Sequence, residues 1–519
     1  MKINLKKIFI FLFVVAFFLV NHQLKAQSYA ETAIQFSRLS LQGTARYQAL
    51  AGCNVALGGD IASAASNPAG LGFYTKSEFS IGLGLNITNS EATYLLNKTT
   101  DGRTAPNLNN LGVVLAIPNE KGSKWRGGAI ALSATRVNHF PFRFNYQGTN
   151  KSTSKTDWYV DQASGIRTGD IENLDVGPTR FPVATAAYYA RLINPVNVLS
   201  NGETDVNNID YFTYVRDANE NLFGNINQQG TYSTSGGQTR WNIAYGANYD
   251  DKLFLGGGIG ISSLNYTRNK EYKEKVMSNS SRLDNYTEND NLKTSGTGFD
   301  VNLGVMYRPI EFLRIGASVN SPTFYKVYEN FDLTFNTQYY DQANVLRTLT
   351  EPTLPGDYSY NYTSPWRFNA GASIFIGKYG FLTAEAEYMG YDAMRLRGKN
   401  TQDLAADSQF LTKFIKPVWN YRGALELRYD IYRLRGGYSY QANPYALVDG
   451  IDRNIHIITG GLGIRLQNWF LELSLARQST NNIYQPYVFD ASSPYSGKEP
   501  IVQIKQVWWS SVLTFGVHF

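Results

Sequence analysis

At the end of this chain apolar and polar side chains take turns. Val507, Trp509, Leu513, Phe515, Val517 and Phe519 share one face of an extended strand, and Gln506, Ser510, Thr514, Gly516 and His518 share the other. The pattern recurs upstream. Trp241, Ile243, Tyr245, Ala247 and Tyr249 oppose Asn242, Ala244, Gly246 and Asn248, while Phe299, Val301, Leu303, Val305 and Tyr307 oppose Asp300, Asn302, Gly304 and Arg308. Strands of this kind suit a wall with lipid on one side and a polar lumen on the other. Inside hydrocarbon every backbone N–H and C=O must be paired within the protein, so strands span a bilayer only as a closed barrel.

Period-two reading places fourteen strands near 77–94, 109–118, 125–145, 237–249, 253–272, 295–308, 313–336, 360–376, 380–397, 418–430, 432–440, 454–466, 469–479 and 505–519. The connections at 119–122, 250–251, 308–311, 377–378, 430–431 and 467–468 are tight. The others are long, the largest running from 146 to 236. A two-layer soluble sandwich explains the alternation but not this one-sided division of loop lengths. Outer-membrane barrels keep short turns in the periplasm and long loops outside, so an even strand count puts both termini in the periplasm of a Gram-negative cell.

Composition agrees with the barrel. The chain is rich in Tyr, Phe and Gly, and only 17% of its residues are charged. Its one continuous apolar run, Ile8 to Val20, is too short for the roughly 20 residues of a spanning helix. It follows Lys2, Lys6 and Lys7 and precedes Leu24-Lys25-Ala26, so residues 1–26 read as a secretory signal peptide cleaved after Ala26. Losing four lysines and no acid lowers the formal charge from +6 to +2. That removes the support for nucleic-acid binding. The lone Cys53 excludes an intrachain disulfide and reads as a small buried residue.

Residues 27–76 have a different character, rich in Ala, Gly and Ser. Ala30 to Leu39 has helical character, and Asp60 is placed to cap a short helix that ends before Asn67-Pro68. Lying directly upstream of the first strand, the segment is positioned to fold into the lumen. Here Gly43-Thr44-Ala45-Arg46, Ala56-Leu57-Gly58-Gly59-Asp60 and Asn67-Pro68-Ala69-Gly70-Leu71-Gly72 resemble the N-terminal hatch of FadL/TodX-type outer-membrane transporters of hydrophobic compounds. Asn67, Pro68 and Ala69 match the family's hatch motif. The motif similarity is confined to the first fifty or so residues after the signal, whereas the architecture agrees over nearly the whole mature chain.

The resemblance implies a fourteen-stranded all-β barrel (77–519) plugged by a hatch (27–76). It implies passive uptake of long-chain fatty acids or similar apolar molecules, with capture by outer loops, a pocket in the barrel and exit through the wall into the outer-membrane lipid. The inward-facing charges Asp300, Glu385, Glu387, Arg422, Glu426, Arg428, Arg433, Arg435 and Glu472 favour such a side exit, because an acyl chain gains little by crossing them. They form either salt-bridged contacts to a plug or the lining of a watery pore. For capture, Phe181, Val183, Tyr188, Leu192 and Ile193 sit on a short apolar helix in the largest loop, a ligand groove or a lid. For the wall, Asn138-His139-Phe140-Pro141 is a candidate kink or gate, since proline removes a ladder bond; Pro322 is a second. Arg136, Arg143 and Arg180 are candidates to meet a carboxylate.

Catalytic chemistry finds no foothold. Histidines are sparse, no Gly-x-Ser-x-Gly elbow surrounds a nucleophile, and the expected activity requires neither metal nor cofactor. Gly256-Gly257-Gly258 reads as closely packed barrel wall rather than a phosphate loop, because no helix follows it. The expected partners are a hydrophobic small-molecule ligand, membrane lipid and, through the terminal Phe519, the barrel-assembly machinery. A general porin and an adhesive surface protein binding through the 146–236 loop are the competing readings.

Overall fold

The computed structural model describes residues 29–119, 123–173, 182–197, 203–352, 356–399, 404–446 and 449–519. The proposed signal peptide and Phe181 and Arg180 lie outside them. Fourteen antiparallel strands close into a barrel. They are β1 (Glu78–Tyr94), β2 (Asn97–Pro118), β3 (Trp125–His139 and Phe142–Asn150), β4 (Ile226–Tyr249), β5 (Leu253–Val276), β6 (Leu283–Ile310) and β7 (Leu313–Asn320 and Phe324–Tyr340). The circuit continues with β8 (Gly356–Thr363 and Trp366–Phe375), β9 (Gly380–Gly390), β10 (Val418–Tyr429), β11 (Tyr432–Gln441), β12 (Ile455–Arg465), β13 (Trp469–Tyr484) and β14 (Val502–His518). Pairing of β1 with β14, from Glu78 opposite His518 to Tyr94 opposite Val502, removes the last free edge.

Alternation becomes geometry in each strand. Phe79, Leu83, Leu85 and Ile87 of β1 are exposed on the outer face, while Ser80, Asn86, Thr88 and Ser90 are buried within. Trp241, Ile243, Trp509, Leu513 and Phe515 extend the same apolar belt, a surface made to face lipid.

The strand count holds, but several boundaries move. β3 runs on to Asn150 and β4 begins at Ile226, so the largest connection spans 151–225 rather than 146–236. The first long connection, expected between residues 94 and 109, is a two-residue hairpin in which Leu95 and Leu96 have φ of 47° and 70°. Two successive left-handed residues match the twist of the strands they join, although neither is the Gly or Asn usual there. β5 and β6 also extend toward each other, leaving only residues 277–282 between them. Short–long alternation of connections therefore fails at these two places. The cause is that β2, β5 and β6 continue beyond the apolar belt, where both faces are polar.

Candidate functional site

The N-terminal segment fills the lumen. Helix α1 (Tyr29–Ser37) lies toward the loop end, packed by Ile34 and Phe36 among Phe140, Leu264, Tyr266, Tyr325 and Tyr362. The chain then descends through α2 (Ala45–Ala49), capped by Thr44, and two 3-10 turns, Ile61–Ala64 and Pro68–Phe73. Asp60 caps the first of these turns by accepting from the Ala62 N–H at 2.8 Å. Contacts reach all round the wall: Ala45 N donates to Thr514 Oγ1 at 2.8 Å, Thr459 Oγ1 donates to the Ala49 carbonyl at 2.8 Å, and Arg314 donates to the Leu57 carbonyl at 2.8 Å. Cys53 is fully buried beside Leu50, Leu57 and Phe381.

Asn67 ties one turn of the plug to the wall. Its carboxamide oxygen accepts from Ala69 N at 3.1 Å, and its Nδ2 donates to the Val55 carbonyl at 2.7 Å and the Val305 carbonyl of β6 at 3.3 Å. Pro68 supplies the fixed φ of a first helical position. The wall opposite is cut away to admit this turn. Gly246, Gly256 and Gly304, on adjacent strands β4, β5 and β6, touch Pro68, Ala69 and Asn67 so closely that none has room for a Cβ. The glycine-rich stretch of β5 is thus a packing surface.

The inward charges tie plug to wall. Glu426 accepts from Arg435 Nε and Arg428 Nε, both at 2.6 Å, with Arg46 of the plug 3.8 Å away; Arg435 also reaches Glu472 at 2.8 Å. Higher up, Glu385 accepts from the plug's Asn54 and Val55 N–H groups at 3.0 and 3.2 Å while pairing with Arg422 at 3.1 Å. Pairing on this scale offsets the cost of burying the charges.

The wall itself is interrupted at β3. Its ladder with β2 ends at the pair Asn110–Thr135, although β3 stays paired with β4 through His139–Gly237 and again from Phe142–Thr234. Past Pro141 the strand leans over the inner face of β1 and β2. The carbonyls of Pro141, Arg143 and Asn145 there accept from the side-chain hydroxyls of Thr88 and Ser90 on β1 and Thr99 on β2 instead of from backbone N–H groups of a ladder. Hatch and kink are stitched together: Ser40 N donates to the Val137 carbonyl, Ser40 Oγ to Asn138 Oδ1 at 2.7 Å, and Asn138 Nδ2 to the Gln35 carbonyl at 3.2 Å. The break at Pro322 is different. Thr323 and Ser364 bridge it to β8, so the wall stays joined.

A lumen cavity of about 320 Å³ borders the β3 kink, lined by α1, by His139, Phe140, Phe142 and Phe144, and by side chains of β13 and β14. On the lipid side of β1 to β5 lies an apolar depression of about 460 Å³, lined by Phe79, Leu111, Leu132, Trp241, Ile243 and Ile261. The loop helix expected around Phe181–Ile193 forms over Pro182–Tyr189. Leu192 and Ile193 beyond it are fully buried with Tyr94, Phe144 and Tyr159, and Val183 and Tyr188 are half-buried at the margin of that cluster. Arg143 is paired with Asp101 at 2.6 Å, and Arg136 donates to the Gly236 carbonyl at 2.9 Å. The glycine bay, the Ser40–Asn138 stitch and the aromatic cavity wall leave no signal in the sequence, because each joins residues far apart in the chain.

A closed barrel with an apolar belt, its lumen plugged by its own N-terminal segment and its ladder broken beside a cavity, defines a plugged transmembrane β-barrel. Among solved structures this fold is shared with the P. putida toluene transporter TodX, at 12% identity over 92% of this chain and 99% of that one, TM-score 0.50. It is shared also with a Pseudomonas aeruginosa FadL homologue, at 10% identity over 93% of this chain and 99% of the other, TM-score 0.54. The likeness establishes a FadL-type barrel fold over 92–93% of the chain. No family model and no curated protein matches the chain.

Proposed function

We propose that this chain is an outer-membrane transporter for passive uptake of hydrophobic small molecules, with both termini in the periplasm. The ligand enters from the loop end, occupies the cavity beside α1 and leaves sideways between β2 and β3 into lipid. The observation that carries this reading is the end of the β2–β3 ladder at Asn110–Thr135, with a cavity on its lumen side and an apolar depression on its lipid side. The alternative, straight passage, runs into the plug and the Arg46–Glu426–Arg435 ion cluster, where an apolar molecule gains nothing. Asn67-Pro68-Ala69 acts as the hatch anchor and Asn138–Pro141 as the gate.

Proteoliposomes carrying the purified protein test the proposal. Uptake of apolar compounds with exclusion of small sugars is expected. Free sugar permeation without apolar selectivity makes the protein a general porin instead.

A further inference from the structure

His139 is an oddity in the cavity wall. It is only 5% exposed, and among the described residues neither ring nitrogen has a hydrogen-bond partner. Its backbone N–H is already engaged by Ser40 Oγ at 3.3 Å and Asn138 Oδ1 at 3.1 Å, so the residue is held in place while the ring is left unpaired. Buried polar groups in native proteins are nearly always satisfied, and an exception in a cavity wall points to a missing partner. A neutral imidazole offers one N–H and one lone pair. Two further donors without partners, Trp508 Nε1 and Arg38 Nε, belong to residues lining the same cavity.

The rest of the lining says what carries the complementary group. Phe144 lies stacked against Tyr232 with ring centroids 5.1 Å apart, and Phe142 continues that wall at 5.6 Å from Phe144. Flat rings of this kind accept a ring by offset or edge contact. Net charge is absent from the lining. Arg453 is held by both Asp449 oxygens at 2.9 and 2.5 Å. Arg38 donates to the Arg453 carbonyl at 2.6 Å, and the two cations of the lining, Arg38 and Arg453, are matched in number by the carboxylates of Glu31 and Asp449. The lining thus has no excess of positive charge to draw an anion.

Building on the transport reading, we infer that the cavity takes a neutral aromatic compound bearing a hydroxyl or carbonyl oxygen, and that His139 is the residue that recognises that oxygen. A plain hydrocarbon leaves the imidazole unpaired; a carboxylate brings a charge that the site does not need. The ring rests on Phe142, Phe144 and Tyr232, and the oxygen meets His139.

Titration of the purified full-length protein with 2-naphthol, naphthalene and 2-naphthoate, followed by calorimetry, tests this. The expected result is 2-naphthol bound about tenfold more tightly than naphthalene, the worth of one hydrogen bond in a buried site, and more tightly than 2-naphthoate. H139F should lose that preference while retaining naphthalene binding and the heat-modifiable folded band on a gel. H139Q, which keeps a donor and an acceptor, should restore part of it. Equal binding of naphthol and naphthalene, strongest binding of naphthoate, or an unchanged preference in H139F overturns the inference while leaving the transport reading intact. Failure of all three probes to bind overturns both.

Discussion

Asn67 of the plug sits directly against Gly304 of β6, with no space between them for even a Cβ. The fit explains why a turn containing an asparagine and a proline can lie flush on a barrel wall. Its side chain bridges the plug's own Val55 carbonyl and the wall's Val305 carbonyl.

Filling that space should expel the turn without breaking the barrel. Gly304→Ala puts a methyl group where the Asn67 amide lies, an overpacking that costs about 1–3 kcal/mol. The strand ladders on either side of Gly304, to Gly256 and to Ser318, carry no side-chain requirement at that position. The expected outcome is a protein that still migrates as a folded barrel before heating, but whose residues 29–74 become accessible to protease and whose conductance in planar bilayers rises. Asn67→Ala should act in the same direction, because it leaves buried backbone groups without partners. Unchanged protection in both variants means that the turn is held elsewhere.

Removing one member of the ion cluster should cost more than the bonds it makes. Glu426 is 2% exposed and faces Arg435, Arg428 and Arg46. Glu426→Gln keeps the shape and leaves those cations without their shared counter-charge, a loss on the order of 3–5 kcal/mol for a buried pair. Urea unfolding in detergent should show a midpoint shifted down accordingly. A shift no larger than that of an exposed pair such as Lys98–Glu91 means that water reaches the cluster.

The sequence carried the barrel because lipid enforces period two on every strand that meets it. It lost the signal where lipid ends. Asn97 to Asn107 of β2 is polar on both faces and contains Gly102 and Pro106, so its outer half reads as loop although it pairs with β1 throughout. The turn at Leu95-Leu96 lacks the Gly or Asn that marks such hairpins. Within the plug, Asp60 is legible as a cap, being local chemistry between residues two apart, whereas Asn67, read as the end of a helix, caps the turn that begins at Pro68. The bay formed by Gly246, Gly256 and Gly304 is not legible, because only the register of three strands brings those glycines side by side. The kink at Pro141 could be read from one proline; its separation from β2, absent at Pro322, depends on what the neighbouring strands do.

Locking hatch to kink should block transport. Ser40 Oγ lies 2.7 Å from Asn138 Oδ1, so the two side chains are close enough for a short cross-link. In a Ser40→Cys/Asn138→Cys variant, oxidation should lower uptake of an apolar probe into proteoliposomes at least tenfold, and reduction should restore it. Cys53, fully buried and away from the pair, does not compete. Equal uptake by oxidised and reduced protein, with the cross-link verified by mass, would show that Gln35–Ser40 stays on β3 during passage and that the exit opens elsewhere.

The largest loop should respond to pH through Asp161. This carboxyl lies on the loop helix α3 (Lys155–Ala163). Burial, with smaller contributions from the nearby Asp490 and Asp157 charges, pushes its pKa from the usual 3.8 up to about 6. The folded loop then holds the proton more tightly than the unfolded loop does. Its contribution to stability is full below about pH 4 and is lost as pH rises through 6. Hydrogen exchange over residues 155–163 should accordingly be slower at pH 5 than at pH 7.5 after correction for the intrinsic rate. Asp161→Asn, neutral at both values, should flatten the difference and leave the loop at least as protected at pH 7.5 as the parent is at pH 5. A pH dependence that persists in the variant would assign the effect to another group on the loop.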